Sequence, residues 1–416
     1  MTELAVDRSL GTSLAERWSG GFLTAFAGAA DLFRARLSAD ELIRLAQRQT
    51  GLSDFGEWEV EDALEILVKS YEEEANLSAF GRMAVRWDLV RFLSNLLRFQ
   101  AREKQDPSIL SEQIERPIFI TGLPRSGTSF LHQLLCEDPA NRAIRCWEPI
   151  YPFPLDRCSA SDRDRRRRKV DRQLAIFARM TPEVRALHPV TADSPQECTE
   201  ITGHVLRSMR FDTTHHIPTY RDWLHAQDQM APYRFHKRFL QHMQHGRAAK
   251  RWVLKCPDHV FALDALRAVY PDACIVFMHR DPIVVLASLA KLTETLRRPF
   301  TRELDRRQIG ADLSRRWAQG AAILVDAATS CRNRTGSALH LEFGDFTRDP
   351  AAAIEPIYRH FRLDLDANAR ARMRALVARK PKGGYGRNDG RLEDYGLDQR
   401  ELQHRFADYM EIFQRR

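Results

Sequence analysis

The sequence predicts an α/β protein in three layers, a central parallel sheet flanked by helices, with an N-terminal helical extension. Three observations carry that expectation. Short apolar runs of β-forming residues recur after about residue 116, separated by helix-length segments; the first of them leads through a glycine-bearing loop into a helix; and nothing before residue 115 reads as a strand. We read residues 1–115 as a helical region and 116–416 as the α/β domain, with a helical insertion over about 151–248.

In the first region apolar residues return at spacings of three and four, as in Ala63, Leu64, Ile66, Leu67 and Tyr71, or Val90, Phe92, Leu93, Leu96, Leu97 and Phe99. Pro107 and Ser108 break the pattern. The run Pro117–Thr121 then reads as the first core strand, ending at Gly122, and Phe130, Leu131, Leu134 and Leu135 resume helical spacing behind the loop. Trp252–Leu254, Cys274–Met278 and Leu339–Phe343 are the further strands, and their alternation with helices implies a parallel sheet. A basic, glycine-rich loop over Lys380–Arg387 precedes a last helix ending near Phe413.

Composition narrows the class. With 44% hydrophobic and 29% charged residues the chain is an ordinary globular protein. Its most apolar stretch, Gly20–Ala30, is too short to span a membrane, and no apolar segment resembling a signal peptide opens the chain, so a cytoplasmic location is expected. Seven scattered cysteines without a C-x-x-C pair argue against a disulfide framework and a zinc site. His215, His216, His236, His242 and His245 lack acidic sequence neighbours at a metal-ligand spacing, so no metal is expected. The net charge of +8 draws polyanions or acidic small molecules. The run Arg163–Lys169 is either a solvated helix face or a docking patch for a polyanion, but no nucleic-acid-binding signature accompanies it, and nucleic acid is not expected as a partner.

The chemistry concentrates in Gly122-Leu123-Pro124-Arg125-Ser126-Gly127-Thr128-Ser129. This loop matches the phosphate-binding spacing G-x-x-x-x-G-K-[ST] except that Thr128 stands in the lysine position, which makes the fold P-loop-like but argues against a triphosphate substrate. Arg125 places a permanent cation in the loop, Gly127 lets the backbone close on an anion, and Thr128 and Ser129 add hydroxyls at a helix start. Lys255 and Arg280 each fall at the C-terminal end of a predicted strand, where parallel sheets bind ligands, and Ser288 follows Arg280 by eight residues.

With these motifs the sequence resembles the sulfotransferase superfamily, in particular bacterial members related to tyrosylprotein sulfotransferases. The resemblance runs from about Ile118 to Gln414, through Trp147-Glu148-Pro149, Ser194-Pro195-Gln196-Glu197-Cys198, Tyr220–Leu224, Asp345–Pro350 and Leu392–Leu397. It implies 3′-phosphoadenosine 5′-phosphosulfate (PAPS) as sulfuryl donor without a metal. Arg125, Ser126, Gly127, Thr128 and Ser129 would grip the 5′-phosphosulfate, and Arg280 with Ser288 the 3′-phosphate. Ser129 replaces the family's second threonine but keeps the hydroxyl.

Two bases are implied. Glu148 stands where the tyrosylprotein enzymes carry a glutamate after the first helix; His259 is the histidine nearest Lys255, though it follows by four residues where the small-molecule enzymes have two. Arg125 and Lys255 are the cations expected to stabilise an in-line transfer. Glu197 and the histidines between 188 and 225 are placed on the acceptor side by position, together with the helical insertion. The acceptor class stays open among small molecules, glycans, lipids and peptides. The alternatives are a P-loop kinase, which Thr128 disfavours, and a catalytically inactive nucleotide-binding protein, which Arg125, Lys255, Arg280 and Ser288 disfavour.

Overall fold

The computed structural model describes residues 36–155, 159–329, 338–379 and 390–414; Gly20–Ala30, Cys158, Cys331 and the whole loop Lys380–Arg387 lie outside these residues. The described residues begin with helices. Helix α1 (Ala39–Thr50) is capped by Ser38, which accepts from the Glu41 N–H, and closes on the left-handed Gly51. Helix α2 (Val60–Glu73) buries Leu64, Leu67 and Tyr71. Helix α3 (Ala79–Gln105), capped by Ser78 through a 3.0 Å bond to the Gly81 N–H, buries residues over most of its length from Val85 to Phe99. Gly81 is glycine for a reason, since a Cβ there would lie 1.9 Å from the Phe300 carbonyl oxygen.

Among the described residues five strands follow, β1 (Ile118–Gly122), β2 (Asn141–Arg142), β3 (Arg251–Lys255), β4 (Cys274–His279) and β5 (Ala338–Glu342). They form one sheet in the order β2-β3-β1-β4-β5, and every pairing is parallel. The predicted strands are all present, within a residue or two at their ends; Phe343 leaves the last one and opens a helical turn, Phe343–Arg348. The edge strand β2 has no counterpart in the sequence reading, because two polar residues carry no apolar signal.

The longer helices between and after the strands are α4 (Thr128–Leu135), α5 (Ala160–Met180), α6 (Pro218–Ala226), α7 (Met230–Gln244), α8 (Leu263–Val269), α9 (Pro282–Arg297), α10 (Arg306–Thr329), α11 (Ile354–His360), α12 (Ala367–Arg379), α13 (Gln399–Arg405) and α14 (Ala407–Phe413). Strand alternation sorts the core onto the two faces of the sheet. Ile118, Ile120, Val253, Val276 and Met278 pack with Phe130, Leu131 and Leu134 of α4, Ile357 of α11 and Met373 of α12. Phe119, Leu254, Ile275 and Phe277 belong to the other core, which also takes in Leu64, Leu67, Phe92, Leu96 and Phe99 of the N-terminal helices and Phe235, Trp317 and Tyr409. Helices therefore cover both faces, as the sequence predicts. Among the described residues no helix is long and apolar enough to cross a membrane.

Candidate active site

The glycine loop leaves β1 at a point of close approach. Gly122 has φ 125°, and a Cβ on it would lie 2.2 Å from the Met278 carbonyl oxygen of β4. Arg125 (φ 61°) and Gly127 (φ 84°) both take left-handed backbone, which turns the loop so that Gly127 caps α4. Ser126 donates to the Leu123 carbonyl within the loop, Thr128 is buried at the first turn of α4, and Ser129 beside it is exposed. The free N–H groups and positive dipole end of α4 thus face the loop, an arrangement suited to an anion.

The structure brings Arg125, Arg280 and Ser288 together although the sequence separates Arg125 from Ser288 by 163 positions. Arg125 Nε donates to Ser288 Oγ at 2.9 Å and its Nη1 to the Leu187 carbonyl at 2.9 Å. Arg280 Nη1 donates to the Arg125 carbonyl at 2.6 Å, while its guanidinium lies 4.0 Å from the centroid of the Phe343 ring. Burial, and after it the neighbouring Arg280 charge, lowers the Arg125 pKa from its ordinary value. Among the described residues neither guanidinium has a carboxylate at ion-pair distance. Two adjacent cations, with Asp281 acting on Arg280 only from beyond ion-pair distance, form a site of positive potential.

Lys255 ends β3, in register with Ile120 of β1, and is buried. Its ammonium donates to the Glu197 carboxylate. Backbone bonds fix that pairing: the Cys198 N–H donates to the Lys255 carbonyl at 3.1 Å, and the Gln196 N–H to the Ile144 carbonyl at 2.8 Å. Burial pushes the Glu197 carboxyl up, but the charges of Lys255 and His188 outweigh it and hold the group below its ordinary value. Burial brings His188 down to about 4 against the pull of Glu197, with Lys255 and Arg125 adding to the fall. Of the histidines between 188 and 225, then, His188 stands among Glu197, Lys255 and Arg125. His204 is instead buried against Phe92, Phe99 and Phe235, and His215 lies against Tyr71.

The two expected bases each have partners of their own. Glu148, in the short helix Trp147–Ile150, is buried, and both its oxygens are engaged: Oε2 accepts the Arg145 N–H at 2.7 Å and Oε1 accepts Arg142 Nη2 at 3.2 Å. His259 is 3% exposed, in the 3-10 turn Pro257–Ala262. Its Nδ1 meets the Tyr233 hydroxyl, its ring stands edge-on to Phe119 at 5.1 Å, and burial, then His236 and Lys255, pushes its pKa well below the ordinary imidazole value. It also lines a cavity of about 300 Å³ with Cys198, Tyr233, Phe261 and Arg316.

The remaining sequence features resolve into structure. In the Arg163–Lys169 run, Arg165 pairs with Asp162, Arg167 with Asp164 and Asp193, and Arg166 donates to the Tyr151 and Pro152 carbonyls at 2.8 Å, so much of the run is bound to its own chain. His242 and His245, without acidic neighbours in sequence, find Glu103, Asp106 and Glu112 from distant segments. Among the described residues no group of three or more His, Cys, Asp and Glu side chains could hold a metal ion.

A parallel sheet with an anion loop after its first strand, an arginine and a serine converging on that loop, and a lysine at the next strand end define a group-transfer fold of the sulfotransferase type. The chain belongs to the sulfotransferase family, whose model matches residues 117–367. It is 33% identical to the crystal structure of sulfotransferase STF1 from Mycobacterium tuberculosis H37Rv, with a TM-score of 0.78 over 89% of this chain and 99% of that one. Sulfotransferase STF9 from Mycobacterium avium aligns at 28% identity and TM-score 0.78, covering 90% of this chain and 96% of that one. The omega-hydroxy-beta-dihydromenaquinone-9 sulfotransferase Stf3 of Mycobacterium tuberculosis is 27% identical over 263 residues, 59% of this chain. The match spans 63% of that curated relative's length.

Proposed function

We propose that the chain moves a sulfuryl group from PAPS to a hydroxyl or amine of an acceptor by in-line displacement. The observation that carries this reading is the meeting of Arg125, Arg280 and Ser288 at the glycine loop, two guanidinium groups with no carboxylate between them. That arrangement suits a nucleotide with two separate anionic groups. The loop N–H groups, Arg125, Ser126, Gly127, Thr128 and Ser129 would hold the 5′-phosphosulfate, and Arg280 with Ser288 the 3′-phosphate. The donor supplies an activated sulfur whose bond to the 5′-phosphate oxygen breaks as the acceptor's bond forms. Arg125 and Lys255 offer cations to the charge that develops on the sulfuryl and leaving phosphate oxygens.

For the base, the geometry favours Glu197 over Glu148 and His259. Glu148 has both oxygens bonded and His259 is buried against Tyr233, whereas Glu197 touches Lys255 and keeps 32% of its side chain exposed. The largest influence lowering the Glu197 pKa is Lys255, and burial works the other way. When Lys255 turns to the donor's anionic oxygens, the Glu197 carboxylate loses its main stabiliser and becomes a better proton acceptor. Donor binding would thus prepare the base.

The relative named for an omega-hydroxy menaquinone derivative makes a hydroxylated lipid the first acceptor to try. The testing experiment is incubation with PAPS and a panel of hydroxylated lipids, glycans, phenols and peptides, read by mass spectrometry. Gain of one SO3 on a panel member is expected; absence of any PAPS-dependent mass shift on the panel and on a whole metabolite extract would contradict the reading.

A further inference from the structure

The C-terminal helix α14 reaches back to the strand end that carries Arg280. Tyr409, 1% exposed, lies with its hydroxyl 3.0 Å from Nδ1 of His279, the residue before Arg280. His279 Nε2 lies 2.8 Å from Nδ1 of His340, the residue that pairs with Phe277 in the sheet. The two imidazoles are within 14° of one plane, and the Phe413 ring lies flat over His279 at 3.7 Å.

His279 engages both ring nitrogens, Nδ1 with Tyr409 and Nε2 with His340, so one of them donates and the other accepts. Burial keeps both rings neutral, pushing His340 down to about 4 and His279 well below the ordinary value. The outcome is a hydrogen-bonded series that joins α14, β4 and β5 through His279, the residue before Arg280. Arg280 itself is held by the Phe343 face and the Arg125 carbonyl.

We propose that Tyr409 is a positioning residue for the 3′-phosphate: by fixing the ring of His279, the neighbour of Arg280 in the chain, it sets where the Arg280 guanidinium is presented. This rests on the reading of Arg280 and Ser288 as the 3′-phosphate site. It goes beyond it in giving the C-terminal helix a part in donor selectivity. A charge-assisted contact to phosphate is sensitive to small displacements, so a loosened strand end weakens the 3′-phosphate contact selectively.

The test compares calorimetric affinities for 3′-phosphoadenosine 5′-phosphate (PAP) and adenosine 5′-phosphate in the full-length chain and its Tyr409→Phe variant. Loss of the hydroxyl is expected to lower the preference for PAP about tenfold, equivalent to ~1.4 kcal/mol, while affinity for adenosine 5′-phosphate changes less than about twofold. Leu402→Ala, which removes a buried side chain of α13 and none of the hydrogen-bonding groups, should lower thermal stability and leave the preference unchanged. If Tyr409→Phe does not fold, Phe413→Leu, which keeps the hydroxyl and loses the stack on His279, is read the same way. An unchanged preference in the variant that folds, or a parallel loss of both ligands, would overturn the proposal. A parent chain that binds both nucleotides alike would instead overturn the 3′-phosphate reading beneath it.

Discussion

Replacing Glu197 by glutamine tests the chemistry of the site with little change of shape. The substitution removes the carboxylate that accepts from buried Lys255, leaving an amide that still accepts one hydrogen bond. Breaking a fully buried ion pair costs ~3–5 kcal/mol. Here 32% of the Glu197 side chain meets solvent, water can reach the pair, and the amide oxygen partly replaces the lost acceptor. The expected cost is therefore about 1–2 kcal/mol, a fall of a few degrees in Tm. The sign with pH follows from the lowered Glu197 pKa: its stabilisation is complete above its ordinary value of 4.5 and is lost as pH falls through the depressed folded value. The Tm gap between parent and variant should be full at pH 7 and close in acid. Catalysis should respond far more, with kcat down ~10²–10⁴-fold as expected for loss of a general base. PAP affinity should hold or rise, because Lys255 is freed for the nucleotide. Scanning calorimetry, PAP titration and steady-state kinetics with the acceptor found by mass-shift screening give the three readouts. A variant with kcat within threefold of the parent would refute the assignment of Glu197 as base.

Three other perturbations separate scaffold from site. Glu148→Gln should lower Tm, since it weakens the brace to Arg142 and the Arg145 N–H, yet keep kcat within about tenfold of the parent; kinetics beside a melting curve decides. Gly122→Ala forces a side chain into a φ of 125° and a Cβ to 2.2 Å from the Met278 carbonyl, so soluble yield or Tm should fall sharply, and PAP binding should be lost in any folded fraction. In acid, Glu294 should report on the packing of α9: burial raises its carboxyl pKa, but bonds from Tyr395, Arg306 and Arg298 bring it to about 2. Its stabilisation is present above the ordinary value of 4.5 and lost towards pH 2, so Glu294→Gln should flatten the acid limb of the Tm–pH curve.

The fold was largely legible because its signals are local. The apolar runs at Pro117–Thr121 and Cys274–Met278 could be little else than buried strands, and the loop between β1 and α4 announces itself in eight consecutive residues. The strand-end positions of Lys255 and Arg280 followed from the same pattern. The partners within the site were not legible, because they depend on contacts between distant segments. Glu197 reaches Lys255 only because residues 196–198 are strapped by backbone bonds to Ile144 and to the end of β3. His259 looks like a neighbour of Lys255 in sequence, but the turn after Pro257 carries it beneath Phe119. Likewise the network through Tyr409 spans 130 positions to His279, with no pattern in either segment to announce it.

The most direct test of the central claim, that Arg125, Arg280 and Ser288 build a site for a 3′-phosphorylated adenine nucleotide, is a calorimetric titration with PAP and with ATP, each with magnesium and with a chelator. The expected result is PAP binding that is tighter than ATP binding and indifferent to the chelator. Tighter binding of ATP that requires magnesium would contradict it.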